Sequence, residues 1–126
     1  MLGSANIVAF VPTKNPDKAR SFFEKTLGLE FVVDDKFALV FEANGVMIRV
    51  VNVAGIDSFT PAPFTILGWS VGDVGKAVND LVRRGVKFER YPGLEQDQLG
   101  VWTAPGGAKI AWFKDPDGNI LSLSQH

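Results

Sequence analysis

Cysteine is absent from the 126 residues, and histidine occurs once, as His126. Without Cys there are no disulfides and no thiolate metal sites, although the compartment is not fixed by that absence. No apolar run approaches the ~20 residues that a membrane-spanning helix needs. Charge of one sign is also missing: the formal net charge is −1 and no basic run occurs. That excludes the electrostatic footprint of a nucleic-acid or anionic-membrane binder. The opening MLGSANIVAF has no cationic stretch followed by a long apolar one, so it does not read as a signal peptide, and a cytoplasmic location is expected. What is present is ordinary globular material, 46% hydrophobic and 21% charged. A chain of this length suits one domain that buries roughly two-thirds of its unfolded surface.

Within it a strand–helix–strand–hairpin plan is written twice. Asn6 to Thr13 is β-rich and stops at Lys14-Asn15-Pro16. Asn15 is a good helix cap, and Pro16 fits the first helical position, where no backbone N–H is needed. Ala19, Phe22, Phe23 and Leu27 recur at helical spacing, and Gly28 suits the left-handed C-terminal position. A strand from Leu29 to Val33 leads to a hairpin with arms Phe37–Glu42 and Val46–Val53 around Ala43-Asn44-Gly45.

The second copy begins at Phe64. Thr65 to Val71 reads as a strand and Asp73 as a cap. Val74, Ala77, Val78, Leu81 and Val82 make the apolar face of a helix ending at Gly85. A strand over Val86–Glu89 follows, then a hairpin of Lys109–Lys114 and Asn119–Ser124 around Asp115-Pro116-Asp117-Gly118, where Pro presets φ and Gly accepts positive φ. The caps Asn15 and Asp73 are spaced like the glycines Gly28 and Gly85, whereas Gly45 and Gly118 lie farther apart. The second copy therefore carries an insertion of about 16 residues, at 91–107, read as a loop with one extra short strand. The first module runs over about 5–53 and the second over about 64–125, joined by a linker at 54–63.

Two stretches, VPTKNPDKARSFFEKTLGLEF at 11–31 and WFKDPDGNILSLSQ at 112–125, resemble the vicinal oxygen chelate superfamily of glyoxalases, bleomycin-resistance proteins and extradiol dioxygenases. The resemblance covers nearly the whole chain. It implies an α+β fold in which two βαβββ modules form a cup-shaped curved mixed sheet with helices on the outside. It also implies a homodimer. Enzymes of that group hold a divalent metal on His, Gln or Glu at equivalent strand positions of the two copies, and here those positions read Val8, Arg49, Ile66 and Ser122. Val8 and Ile66 offer no donor, Arg49 would repel a cation, and Ser122 is a feeble neutral ligand. No metal or other cofactor is therefore expected.

Strand alternation places Met47, Arg49 and Val51 on the inner face of the cup and Ile48 and Val50 against the helix. It likewise turns Ile120, Ser122 and Ser124 inward. Pairing across the hairpins adds Ala38 and Val40, then Ala111 and Phe113, with Ala38 opposite Arg49 and Ala111 opposite Ser122. The expected ligand-binding residues are Phe10, Met47, Arg49, Trp102, Phe113 and Ser122. A guanidinium in an apolar hollow favours a carboxylate, phosphate or carbonyl-rich small molecule; the competing reading has Arg49 reaching solvent or pairing with a carboxylate such as Glu42. Trp102 is read either as an aromatic lip or as a core or dimer contact. Trp69 and Trp112 read as core, and Glu95, Gln96 and Asp97 as a solvated loop. Catalytic residues are not assignable, since Ser122 and Ser124 have no His within the folded body to act as base. Three functions remain: metal-independent small-molecule binding, a glyoxalase-like lyase or dioxygenase-type enzyme with an unrecognised metal site, and a protein-association domain.

Overall fold

The computed structural model describes residues 1–126, which divide into two compact units, Met1–Thr60 and Pro61–His126. In the first, β1 (Val8–Thr13) leads into helix α1 (Pro16–Ser21). The Asn15 side chain accepts from the Lys18 N–H at 3.2 Å, Pro16 stands in the first turn, and Asp17 adds a favourable charge at the positive helix end. The coil then widens into a π-type turn over Phe22–Thr26, with the Leu27 N–H donating to the Phe22 carbonyl at 2.9 Å, and Gly28 takes φ 76° at its end.

Strands β2 (Glu30–Asp34), β3 (Ala38–Ala43) and β4 (Val46–Asn52) complete a sheet of order β1-β4-β3-β2. β1 runs parallel to β4, and the other pairs are antiparallel. The β3–β4 turn is the two-residue Asn44–Gly45, both with positive φ (47° and 85°), as a hairpin matched to strand twist requires. Val11, Ala19, Phe23, Phe41, Ile48 and Val50 are buried where α1 and its extension cover one face. Phe41 packs against Phe23 and Phe31 at ring-centroid separations of 5.8 and 5.6 Å.

The second unit repeats the order as β5-β8-β7-β6, from β5 (Thr65–Ser70), β6 (Trp102–Thr103), β7 (Lys109–Lys114) and β8 (Ile120–Gln125), with β5 parallel to β8. Helix α2 (Val74–Arg83) is capped by Asp73, which accepts from the Lys76 N–H at 3.0 Å, and by Gln125, which accepts from the Val74 N–H at 2.9 Å. Val78, Val86, Ala111, Phe113, Leu121 and Leu123 fill its core, with Trp69 stacked on Phe113 at 6.4 Å. In the β7–β8 turn the buried Asp115 carboxylate accepts from the backbone of Asp117 and Asn119 and from the Asn119 amide.

Three expectations change. The strand read over Val86–Glu89 shrinks to a bridge between Phe88 and Phe113, and β6 of the insertion takes the edge. The Gln96 side chain diverts the chain there by accepting from the Tyr91 N–H and donating to the Glu89 carbonyl. In the first hairpin Arg49 faces Val40, and Ala38 faces Val51. In the second, Ser122 faces Trp112, so Ala111 and Phe113 lie on the helix-covered face with Leu123 and Leu121. Trp112 is correspondingly on the other face and outside the core.

Candidate functional site

The face of the first sheet turned away from α1 carries Val8 and Phe10 from β1 beside Met47 and Arg49 from β4, with Val8 paired to Met47 and Phe10 to Arg49. Parallel β1–β4 pairing puts these side chains side by side. Phe10 is 61% exposed and Met47 42%, high for apolar residues inside strands. Arg49 is held rather than free. One guanidinium nitrogen donates to Asp35 Oδ2 at 2.7 Å, while Asp35 Oδ1 accepts from the backbone of Phe37 and Ala38. The bond from Arg49, then those from Ala38 and Phe37, lower the Asp35 pKa below the ordinary carboxylate value. The carboxylate that meets Arg49 is therefore Asp35; Glu42 accepts instead from the Gly45 N–H. Asp35 sits in the turn before β3, and its acidic pair with Asp34 was the one available sequence signal.

The corresponding face of the second sheet carries Ser122 on β8, Gly68 beside it on β5, and Trp112 on β7. Gly68 is bare for a reason: a Cβ there would lie 2.5 Å from Ser122 Oγ. Trp112 is flanked by Trp102, with ring centroids 6.2 Å apart, and by Tyr91, edge-on at 5.5 Å. All three rings are half-buried. The Tyr91 hydroxyl is buried with no hydrogen-bond partner. Burial, and then the charge of Glu89, raise its pKa. Trp112, expected in the core, lies instead on this face, and no sequence signal sets Tyr91 apart from the rest of the insertion. His126 reaches back so that its Nε2 lies 3.1 Å from Ser124 Oγ. Phe113, expected on this face, is fully buried on the other.

A family model described as Glyoxalase/Bleomycin resistance protein/Dioxygenase superfamily matches residues 5–123. The chain belongs to that superfamily. No curated protein matches it. Among solved structures it is similar to a superfamily member from Sphaerobacter thermophilus (21% identity, all of both chains covered, TM-score 0.77). It is also similar to an antibiotic binding protein from a Streptomyces species (24% identity, 99% and 98% covered, TM-score 0.71). A lactoylglutathione lyase from Agrobacterium tumefaciens shares the fold as well (16% identity, 97% and 93% covered, TM-score 0.72). At these identities the likeness is one of fold.

The divalent metal of the superfamily's enzymes can be tested against the residues present. No three His, Asp or Glu side chains converge anywhere in the chain. Val8 and Ile66 are hydrocarbon, Ile66 lies in the bulge between Thr65 and Leu67, and Arg49 is a cation already paired with Asp35. One serine hydroxyl does not make a metal centre. The residues at these positions do not fit the ion.

Proposed function

We propose that this superfamily member binds a small organic molecule without using a metal. The ligand-binding groups of the first sheet are Phe10, Met47 and Arg49; those of the second, taken by itself, are Trp102 and Ser122 with Trp112 and Tyr91, and Phe113 is withdrawn because it lies under the helix. The observation that carries the reading is the chemistry of the ancestral ligand positions. They hold no metal donor beyond the Ser122 hydroxyl, and on the first sheet exposed Phe10 and Met47 lie beside a guanidinium fixed by Asp35. Apolar walls with a few fixed polar groups are the usual makeup of small-molecule sites. The Arg49 N–H groups not engaged by Asp35 suit a carbonyl or carboxylate oxygen. A homodimer in the cytoplasm remains part of this proposal.

The competing reading is a lyase or dioxygenase-type enzyme whose metal site has gone unrecognised. Metal analysis of protein grown with added Mn, Ni, Fe and Zn separates the two. The proposal expects far less than one ion per chain, together with thermal stabilisation by some aromatic carboxylate or ketone. A ligand present at 100 times its Kd contributes about 2.7 kcal/mol. One tightly held ion per chain would overturn it. So would a broad ligand screen in which no compound raises the melting temperature.

A further inference from the structure

A cleft of about 390 Å³ lies on the helix side of the second unit, and none of the proposed ligand-binding residues lines it. One wall is the last turns of α2 with Val82, and the chain beyond it with Val86 and Lys87; the other is Arg90, just before the inserted loop, with Gln98 and Leu99 of that loop. The loop wall is built, not draped. Arg90 donates to the carbonyls of Asp97 and Gln98 at 2.8 and 3.0 Å, and Asp97 Oδ1 accepts from the N–H groups of Leu99 and Val101, both at 2.9 Å. The Gln96 amide adds a bond to the Gly100 carbonyl at 2.8 Å. A wall fixed in advance spends little ordering entropy on a ligand.

The floor is apolar, with Val78 and Val86 buried, while Val82 remains 51% exposed on the rim. Charge selects the occupant. The lining includes Lys87 and Arg90 and no acidic residue, in a chain with more acids than bases. Lys87 makes no ion pair, and Arg90 bonds only to carbonyls, so neither charge is neutralised. Of the nearby acids, Asp80 pairs with Arg83 and Glu89 with Lys114, while the Asp97 carboxylate keeps its charge but is held by the Leu99 and Val101 N–H groups of its own loop. The geometry points to a binding site for a small free amphiphilic carboxylate, its hydrocarbon chain along Val82, Val86 and Leu99 and its head at Lys87 and Arg90.

The test uses the intact chain and octanoate as probe, followed by calorimetry. Octanoate should bind while octylamine does not, and Lys87→Glu should weaken binding by about tenfold, the loss of one charge-assisted contact. Val82→Asp, at an exposed position, should weaken it comparably. Both variants should keep the wild-type circular dichroism and melting temperature. Phe10→Ala should leave octanoate affinity unchanged, which separates this site from the Phe10-bearing face of the first sheet. Equal binding of octylamine, unchanged affinity in Lys87→Glu, or no heat at millimolar octanoate would each overturn the assignment.

Discussion

Replacing Tyr91 by Phe should make the protein more stable. The Tyr91 hydroxyl is buried without a partner, whereas its ring holds an edge-on contact with Trp112 at 5.5 Å that Phe retains. An unsatisfied buried polar group costs about 1–3 kcal/mol, and a Tyr hydroxyl normally finds an acceptor when enclosed. The hydroxyl also makes dispersion contacts that Phe loses, so the net gain belongs at the low end, about 1 kcal/mol. For a chain of this size that is about 3–5 °C in Tm. Urea unfolding and thermal melts of wild type and Tyr91→Phe measure it directly.

A pH series supplies a second reading with a definite sign. The folded-state pKa of Tyr91 is raised by burial and then by Glu89, so its neutral form is favoured on folding. The associated stability is fully present below the unfolded value of about 10 and is lost as pH rises through the folded pKa. Wild type should therefore weaken above about pH 10 more steeply than Tyr91→Phe. A variant that is less stable than wild type, with no difference in alkaline slope, would refute the reasoning and mean that the hydroxyl has an acceptor.

Three further outcomes follow from named contacts. Gly68→Ala puts a Cβ 2.5 Å from Ser122 Oγ, which must rotate away, and should cost about 1 kcal/mol, much of it recovered in the double variant with Ser122→Ala; additive unfolding energies would sink that explanation. The Asp35 pKa is lowered by Arg49 and the turn backbone, so its contribution is present above the unfolded value of about 4 and lost as pH falls through the folded one. Wild type and Asp35→Asn should thus converge in stability in acid, as urea titrations across that range will report. Asp115 runs the other way: desolvation raises its pKa despite the Asn119 bonds, so its contribution is present below the unfolded value and lost as pH rises through the folded one. Its carboxyl ¹³C resonance should titrate above the ordinary aspartate range.

Local chemistry was legible from residues alone wherever one residue type dictates geometry. Asn15 and Asp73 cap the helices, and Asn44–Gly45 turns the first hairpin. Registers were less legible. In the first hairpin the sequence pairing is two residues off, which changes the partner of Arg49 to Val40 and keeps every side chain on its expected face. In the second the pairing is one residue off, which sends Phe113 under the helix and Trp112 to the opposite face. Ile110-Ala111-Trp112-Phe113 is apolar throughout, so alternation carried no warning. The partner of Arg49 was invisible for another reason: Asp35 reaches it across the sheet from a turn, and no periodic rule links the two.

The inserted segment has a consequence for how this protein can change. It contributes Trp102 to one surface of the second unit and Gln98 and Leu99 to the cleft beside α2, where Arg90 just before it completes the wall. Two proposed recognition features would thus ride on one stretch of chain, which also supplies the edge strand β6 of the second sheet. Swapping that stretch between relatives would transplant both at once, so divergence in what this lineage recognises should arrive in jumps, cassette by cassette, more than by gradual substitution.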